Sequence, residues 1–204
     1  MNIKEISLIG ECVNLIPLSI THVNDLFNAI DNPEIWTYLP SKMDSYKDMY
    51  NHVQDAIKAK EKGLEYPFVV IDKVTSQIVG ITRLLNISSE NQSLEIGWTW
   101  YSSKVWRTKV NTECKYLLLS HCFETLNTIR VQFKVDSRNI RSNQAVTRIG
   151  ATKEGILRND RILYDGYVRD TVIYSILIEE WSIVKNKLKS LLSPSNSKLN
   201  LKCY

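Results

Sequence analysis

The chain has 204 residues, of which 44% are hydrophobic and 24% charged, values typical of one globular domain with a substantial core. Its 26 Lys and Arg residues exceed its 22 Asp and Glu residues by too little to indicate nucleic-acid binding, and a small anionic ligand explains the excess equally well. No apolar run is long enough to span a membrane, and the N-terminus lacks a secretory signal pattern. We therefore expect a cytoplasmic protein that binds neither nucleic acid nor membrane.

The four cysteines, Cys12, Cys114, Cys122 and Cys203, include no CxxC pair, and only three histidines accompany them. The sequence therefore predicts no zinc site and no other metal site. Cys114 and Cys122 lie eight residues apart on the apolar side of a predicted helix, so we expect buried thiols. This pattern is typical of a reducing compartment.

The N-terminal half predicts a strand and two helices, followed by a hairpin. Apolar residues recur at helical spacing after the first strand, and again after an aromatic loop that contains Pro33 and Pro40. Two apolar strands then follow, joined by the polar segment Lys73–Gln77. In chain order, these elements are a strand over Val13–Leu18, a helix over Ile20–Ala29, a loop over Asp31–Tyr46, a helix over Lys47–Lys62, and strands over Tyr66–Asp72 and Ile78–Leu85.

A strand, a basic turn and a helix follow from Leu94 and carry the clearest functional signal. Alternation in the strand Leu94–Tyr101 predicts one face with Leu94, Ile96, Trp98 and Trp100, and another with Glu95, Gly97 and Thr99. The turn SSKVWRTKV contributes Lys104, Arg107 and Lys109, and the helix begins at Asn111. Unpaired N–H groups and the helix dipole attract anions to a helix start, so we expect a phosphate-bearing ligand there. Neither G-x-G-x-x-G nor G-x-x-x-x-G-K-[ST] occurs, so neither a dinucleotide-binding fold nor a P-loop is supported.

The C-terminal part predicts another strand and helix, then a hairpin and a last helix. Gly150 is a typical left-handed helix stop, and the hairpin turns at Asp165–Gly166. The elements outside the hairpin are a strand over Ile129–Asp136, a helix over Asn139–Ile149 and a helix over Glu179–Leu192. We therefore expect one α+β domain over residues 1–192, with a mixed, mostly antiparallel central sheet flanked by helices, and a polar tail over residues 193–204.

Three consecutive segments carry a family resemblance: VNTECKYLLLSHCFE, then NIRSNQAVTRIGATKEGILRN, then DGYVRDTVIYSI. In this order and at these separations they resemble the GNAT superfamily of N-acetyltransferases, in the branch that contains the ribosomal-protein alanine acetyltransferases. The resemblance extends from Val13 to Lys187. It implies a GNAT fold and an enzyme that transfers an acetyl group from its cosubstrate acetyl-CoA to a primary amine by direct attack. The acceptor amine would be a protein N-terminus or a small amine, and the enzyme a monomer or a homodimer.

The resemblance also implies which residues bind acetyl-CoA. The family's Q/R-x-x-G-x-G/A signature falls on Trp106 to Asn111, but Lys109 and Asn111 occupy its two small-residue positions here. Glycine allows positive φ and close approach of a ligand at such positions. The amides that would hold the pyrophosphate are those of Arg107, Thr108, Lys109, Val110, Asn111 and Thr112. The backbone of Trp98 and Trp100 would contact the pantetheine arm, and Asn139 would bind the cofactor arm or an ordered water. A solvated basic turn that binds nothing is the alternative.

Two residues are candidates for catalysis. The resemblance implies that Ser142 donates to the departing CoA thiolate, and helix capping is the alternative role. Glu95 is the candidate that accepts a proton from the amine, directly or through water, and an ion pair with an arginine on the sheet surface is the alternative. Trp36, Tyr38 and Tyr164 are candidates for an acceptor pocket or for simple packing. The second functional hypothesis is a GNAT-like domain that binds acyl-CoA and regulates a partner without turnover.

Overall fold

An eight-stranded sheet in the order β1-β2-β3-β4-β5-β6-β8-β7 organises residues 5–193, which are the residues that this computed structural model describes. The strands are β1 (Leu8–Ile9), β2 (Val13–Pro17), β3 (Glu65–Asp72), β4 (Ile78–Ser88), β5 (Ser93–Tyr101), β6 (Arg130–Asp136), β7 (Thr152–Ile162) and β8 (Val168–Leu177). The α-helices are α1 (Val23–Asn28), α2 (Tyr46–Glu61), α3 (Val110–Ser120), α4 (Ile140–Ile149) and α5 (Trp181–Leu192). Neighbouring strands in this part of the chain are antiparallel except β5 and β6, which are parallel, and the predicted α+β fold is confirmed.

Helices cover the sheet on both faces and enclose two apolar cores. The core between the sheet and α1 and α2 includes Leu26, Met49, Val53, Val69 and Ile81. The core between the sheet and α3, α4 and α5 includes Leu118, Leu119, Val131, Ile149 and Leu188. Burying one such aliphatic side chain contributes about 1.5–3 kcal/mol, so the two cores fix the strands relative to the helices.

The predicted elements match the structure closely in most places. The helix predicted over Lys47–Lys62 runs over Tyr46–Glu61, both predicted hairpins are present, and Gly150 ends α4 with a φ of 107°. The short strand β1 and the π-helical turn His121–Thr125 that follows α3 were not predicted from the sequence. Cys114 and Cys122 are buried free thiols, as predicted. Cys203 and the predicted tail, apart from Ser193, lie outside the described residues.

The predicted faces of β5 are wrong beyond Gly97, because the strand contains a β-bulge. Trp98 has a φ of 49°, and the register with β4 shifts so that Trp98 and Thr99 together lie opposite Thr82. An extra residue in one strand resets the alternation of its side chains. The resulting faces carry Leu94, Ile96 and Thr99 toward α3, and Glu95, Trp98 and Trp100 on the side of α2.

Glu113 ties the N-terminal segment to α3. Its buried carboxylate accepts the backbone N–H groups of Glu11, Cys12 and Val13 at 2.7–2.8 Å. Gly10 leaves room for this carboxylate, because a Cβ atom at that position would lie 2.6 Å from Glu113 Cδ. The start of β2 and the helix that borders the candidate site therefore depend on one buried side chain.

Strands β5 and β6 diverge after a short region of pairing. Their paired residues extend only from Ser93 with Arg130 to Glu95 with Gln132. Beyond this point a cleft of about 960 Å³ opens between the strands, bordered by the beginnings of α3 and α4. The fold thus gathers the basic turn, two helix N-termini and Glu95 around one cavity.

Candidate functional site

The basic turn forms one end of the cleft, and its left-handed residue is Arg107. Arg107 has a φ of 62°, whereas Lys109 has ordinary right-handed helical angles, with a φ of −73°. A side chain at position 109 therefore causes no backbone strain, although sequence analysis assigned the first family glycine to that position. The positive φ of the turn is therefore at Arg107, and the backbone at Lys109 has the ordinary geometry of a helix start.

The six residues predicted to bind phosphate divide into two groups. Arg107, Thr108 and Asn111 line the cleft. The side chains of the others are engaged elsewhere: Lys109 Nζ donates to the carbonyl oxygen of Leu192 at 2.7 Å, Val110 is in the core, and Thr112 Oγ1 accepts from Arg148 at 2.9 Å. Lys109 and Thr112 can therefore contribute to an anion site only through their backbone, and the backbone N–H of Val110 already donates to Thr108 Oγ1 at 3.3 Å.

Two arginines on α4 add positive charge to this end of the cleft. Arg141 and Arg148 both line the cavity, and the Arg141 guanidinium lies 3.8 Å from the centre of the Trp106 ring. Neither arginine was predicted from the sequence as a site residue. Their seven-residue spacing places them on one face of the helix, two turns apart, which was the available signal. With Arg107 they form a cationic wall beside the α3 N-terminus.

Lys115 is a buried cation in the cleft lining, and it was not predicted as a site residue either. Its Nζ donates to Thr99 Oγ1 at 3.2 Å and lies 6.0 Å from the centre of the Phe133 ring. Burial lowers the pKa of this amine to about 8, and within residues 5–193 no carboxylate pairs with it. A lysine on the apolar face of TECKYLLLS, in phase with Leu118 and Cys122, was the signal for it.

Two polar residues at the N-terminus of α4, Asn139 and Ser142, have different roles. Asn139 Oδ1 accepts the backbone N–H of Ser142 at 2.9 Å and so caps the helix. The Ser142 hydroxyl lines the cleft and has no hydrogen-bond partner among the described residues. Capping is therefore the role of Asn139, and the hydroxyl of Ser142 is available to a ligand.

Glu95 lies at the point where β5 and β6 begin to separate. Its side chain is buried but lines the cleft, where its carboxylate accepts from Asn86 Nδ2 at 2.9 Å and pairs with Lys134 Nζ at 3.3 Å. The alternative prediction was an ion pair with an arginine on the sheet surface, whereas the partner is Lys134 and Glu95 is buried. Glu95 is a carboxylate held in place on the cleft wall by two neighbouring side chains.

Trp98 and Trp100 line the cleft while their rings pack on the side of α2. The ring of Trp100 contacts that of Trp36, with centres 5.4 Å apart. The ring of Trp98 lies under the Arg83 guanidinium, 5.0 Å from its centre, and beside His52. His52 Nε2 is 2.6 Å from Arg83 Nη2, and burial together with Arg83 lowers the pKa of His52 to about 3. His52, which is neutral, and the Arg83 guanidinium therefore both pack against the bulged residue Trp98 on the α2 side of the sheet.

The three aromatic candidates for an acceptor pocket are not brought together. Tyr38 lines the cleft, whereas Trp36 is buried in the α1–α2 core and Tyr164 is exposed outside the cavity lining. Within the described residues, no group of His, Cys, Asp or Glu side chains is placed to hold a metal ion. No helix in the same part of the chain is long and apolar enough to cross a membrane.

Comparison with known proteins gives a consistent set of relatives. The profile of the acetyltransferase (GNAT) domain matches residues 13–152. The putative ribosomal N-acetyltransferase YdaF of Bacillus subtilis is 27% identical over 146 residues, which are 70% of this chain and 74% of that protein. The crystal structure of a putative acetyltransferase from T. thermophilus superposes with a TM-score of 0.86 at 33% identity, covering 95% of this chain and 100% of that one. RimJ of Mycobacterium smegmatis in complex with CoA-disulfide shares the fold, with a TM-score of 0.77 at 21% identity over 88% of each chain.

Proposed function

Because the chain belongs to the GNAT acetyltransferase family, we propose that it transfers the acetyl group of acetyl-CoA to a primary amine by direct attack. The predicted family resemblance and the acyltransferase class are confirmed by this membership. The observation that supports the specific reaction is the continuous cleft between β5 and β6, cationic at one end and bearing Glu95 in its wall.

The cationic end of the cleft fits the phosphates of acetyl-CoA. The open N-terminus of α3 offers backbone N–H groups, and Arg107, Arg141 and Arg148 surround it. Arginine is well suited to phosphate because its planar guanidinium forms bidentate hydrogen bonds. The structural relative RimJ was solved with a CoA derivative, which supports the same class of ligand here. In this arrangement the thioester lies farther along the cleft, toward Ser142 and Glu95.

The remaining polar groups suit direct transfer. A neutral amine attacks the thioester carbonyl carbon, the C–S bond then breaks, and the amide product and CoA thiolate form. Glu95 accepts the proton that the amine nitrogen loses, directly or through water, and the free hydroxyl of Ser142 donates to the thiolate. The acceptor is a protein N-terminus or a small amine. A cytoplasmic location and a monomeric or homodimeric state remain predictions.

Thiol release from acetyl-CoA in the presence of a panel of peptide and small amines tests this function. We expect thiol release that depends on the amine and is matched by acetylated amine in the mass spectrum. Measurable CoA binding without thiol release for any amine would favour the alternative function, a regulatory module that binds acyl-CoA.

A further inference from the structure

Arg169 of β8 carries a buried guanidinium that has no partner among the described residues. The residue is only 5% exposed and lines the cleft, yet its Nε is fully buried without a hydrogen bond, and its other nitrogens bond to no described residue. Burial and the nearby Arg161 lower its pKa, but an arginine side chain still stays charged at physiological pH. A buried guanidinium without a hydrogen-bond acceptor is unfavourable, and such a group in a native structure needs an explanation, for which a bound ligand is one candidate.

A second arginine lies directly opposite. Arg161 of β7 is the cross-strand partner of Arg169, and it also lines the cleft. Like charges directly opposite one another destabilise a sheet. The register of β7 and β8 shifts between Leu157 and Arg161, and Asn159 has a φ of 50° within this irregular segment. Bulges often redirect a side chain near a functional site, and this one sets Arg161 beside Arg169.

The carboxylates within electrostatic reach of Arg169 are already paired with other groups. Asp136 binds the Arg138 guanidinium through both oxygens, at 3.1 and 2.9 Å. Asp160 accepts from Thr171 Oγ1 at 2.8 Å and from Arg161 Nε at 3.4 Å, and Glu95 pairs with Lys134. Arg169 therefore has carboxylates within electrostatic reach but no hydrogen-bond acceptor within residues 5–193, and it lines the same cavity as Glu95.

We propose that Arg169, assisted by Arg161, binds a carboxylate carried by the amine acceptor, so that the preferred acceptors are amines with an acidic group a few bonds from the nitrogen. This inference rests on the proposed function, because it assigns the acceptor class to the same cleft. A carboxylate fits the planar donors of arginine bidentately and removes the like-charge repulsion between the two strands. The amine of the same molecule then lies toward Glu95.

Matched peptides test the proposal. Three short peptide amides differ only at the second position, which is aspartate, asparagine or phosphoserine, so that the α-amine stays nearly constant. We expect the wild-type kcat/KM to be at least about tenfold higher for the aspartate peptide than for the asparagine peptide. Phosphoserine separates a requirement for carboxylate from a general preference for anions. A phosphoserine peptide preferred over the aspartate peptide would overturn the carboxylate assignment.

Substitutions of the two arginines test whether they cause the preference for the aspartate peptide. Arg169→Gln should lower kcat/KM for the aspartate peptide by roughly 10- to 100-fold, the range for one charge-assisted hydrogen bond, with less than about a threefold change for asparagine. Arg161→Gln should act in the same direction, and Arg169→Lys should restore part of the preference because it keeps the charge without the bidentate geometry. Arg158→Gln, on the same strand as Arg161 but exposed and outside the cleft lining, is the matched control and should leave the preference unchanged.

Two readouts keep this inference separate from the proposed function. The preference is a ratio measured within each protein, so a general loss of folding does not change it. Calorimetric titration of the CoA-bound protein with the same peptides reports recognition even without turnover. Turnover with equal rates for aspartate and asparagine peptides would overturn the acceptor class while leaving acetyl transfer intact. Selective binding of the aspartate peptide without thiol release would support the arginine site and contradict the enzymatic function.

Discussion

Lys115 Nζ donates a hydrogen bond to Thr99 Oγ1 across 3.2 Å, and this contact joins α3 to the bulge of β5 inside the cleft. The same hydroxyl is 2.8 Å from Thr82 Oγ1, so the chain of contacts continues to β4. The helix that begins at the basic turn is thereby linked to the strand that carries Trp98 and Glu95. A buried amine at this junction affects both stability and the polarity of the cleft.

Replacement of Lys115 by Met should change how stability depends on pH. Between the lowered pKa of about 8 and the ordinary lysine pKa of 10.5, the folded amine is neutral while the unfolded amine is still charged, so unfolding takes up a proton and stability rises with pH. The free energy of unfolding of the wild type should therefore gain up to about 3 kcal/mol relative to the variant across this window. Urea unfolding of both proteins near the two ends of the window measures it, and parallel pH profiles would contradict the lowered pKa.

Replacement of Arg141 by Gln should weaken CoA binding about 10- to 100-fold, the range expected for one charge-assisted hydrogen bond to phosphate. Lys109→Gln is the matched comparison and should change the affinity by less than about threefold, because Lys109 Nζ is bound to the Leu192 carbonyl. Calorimetry with CoA at low salt measures both. A larger effect of Lys109 than of Arg141 would place the phosphates on the other side of the turn.

Ser142→Ala should lower kcat by roughly 10- to 1000-fold while CoA affinity and thermal stability hold, since the hydroxyl has no partner in the part of the chain that the structure describes. Asn139→Ala removes the side chain that caps α4 and should lower the free energy of unfolding by about 1 kcal/mol. Steady-state kinetics and thermal melts distinguish the two effects. A loss of stability in Ser142→Ala with unchanged kcat would assign Ser142 to the helix start alone.

Glu95→Gln retains the size of the side chain but removes its basic site. The rate should fall most below pH of about 8, where an α-amine is largely protonated, and should recover as pH rises. The pH–rate profiles of the wild type and of Glu95→Gln with a peptide amine measure this difference. A uniform loss at every pH would indicate that Glu95 positions the substrate, and no loss would leave it as an ion-pair partner of Lys134.

Glu113→Ala should lower the free energy of unfolding by about 3 kcal/mol or more, because three backbone N–H groups lose their acceptor. Gly10→Ala should destabilise in the same direction, since its added methyl group meets the Glu113 carboxylate. Denaturant unfolding measures both, and Glu11→Ala, which leaves the backbone N–H in place, is the control. Wild-type stability in Glu113→Ala would show that the segment is held by other contacts.

The elements of the fold were predictable because their signals are local. Helical spacing of apolar residues located α2, strand alternation located β6, and Gly150 marked the end of α4. Gly97 was a local signal for a bulge in β5, but its position at Trp98 and its effect on the two faces were not predictable, because they depend on the pairing of β5 with β4. As a result, the placement of Glu95 and Trp98 on the same face of β5 was not predicted.

Candidate site residues could be selected from the sequence only where a local sequence pattern marked them. The basic turn around Arg107 was selected because it precedes a predicted helix N-terminus, whereas Asn139 and Ser142 were selected through the family resemblance. Arg169 and Arg161 were missed because they meet only through the register of β7 and β8. Lys115 was missed because a lysine within an amphipathic helix usually faces solvent, although its helical spacing with Leu118 and Cys122 placed it on the buried face.

The most direct test of the central proposal is single-turnover acetyl transfer by the wild type and by the double variant Glu95→Gln, Ser142→Ala, with acetyl-CoA bound to both. The account predicts that the wild type releases one thiol for each amine acetylated, and that the double variant binds CoA normally but transfers the acetyl group far more slowly near neutral pH. Equal transfer rates in the two proteins would contradict the assignment of the chemistry to Glu95 and Ser142.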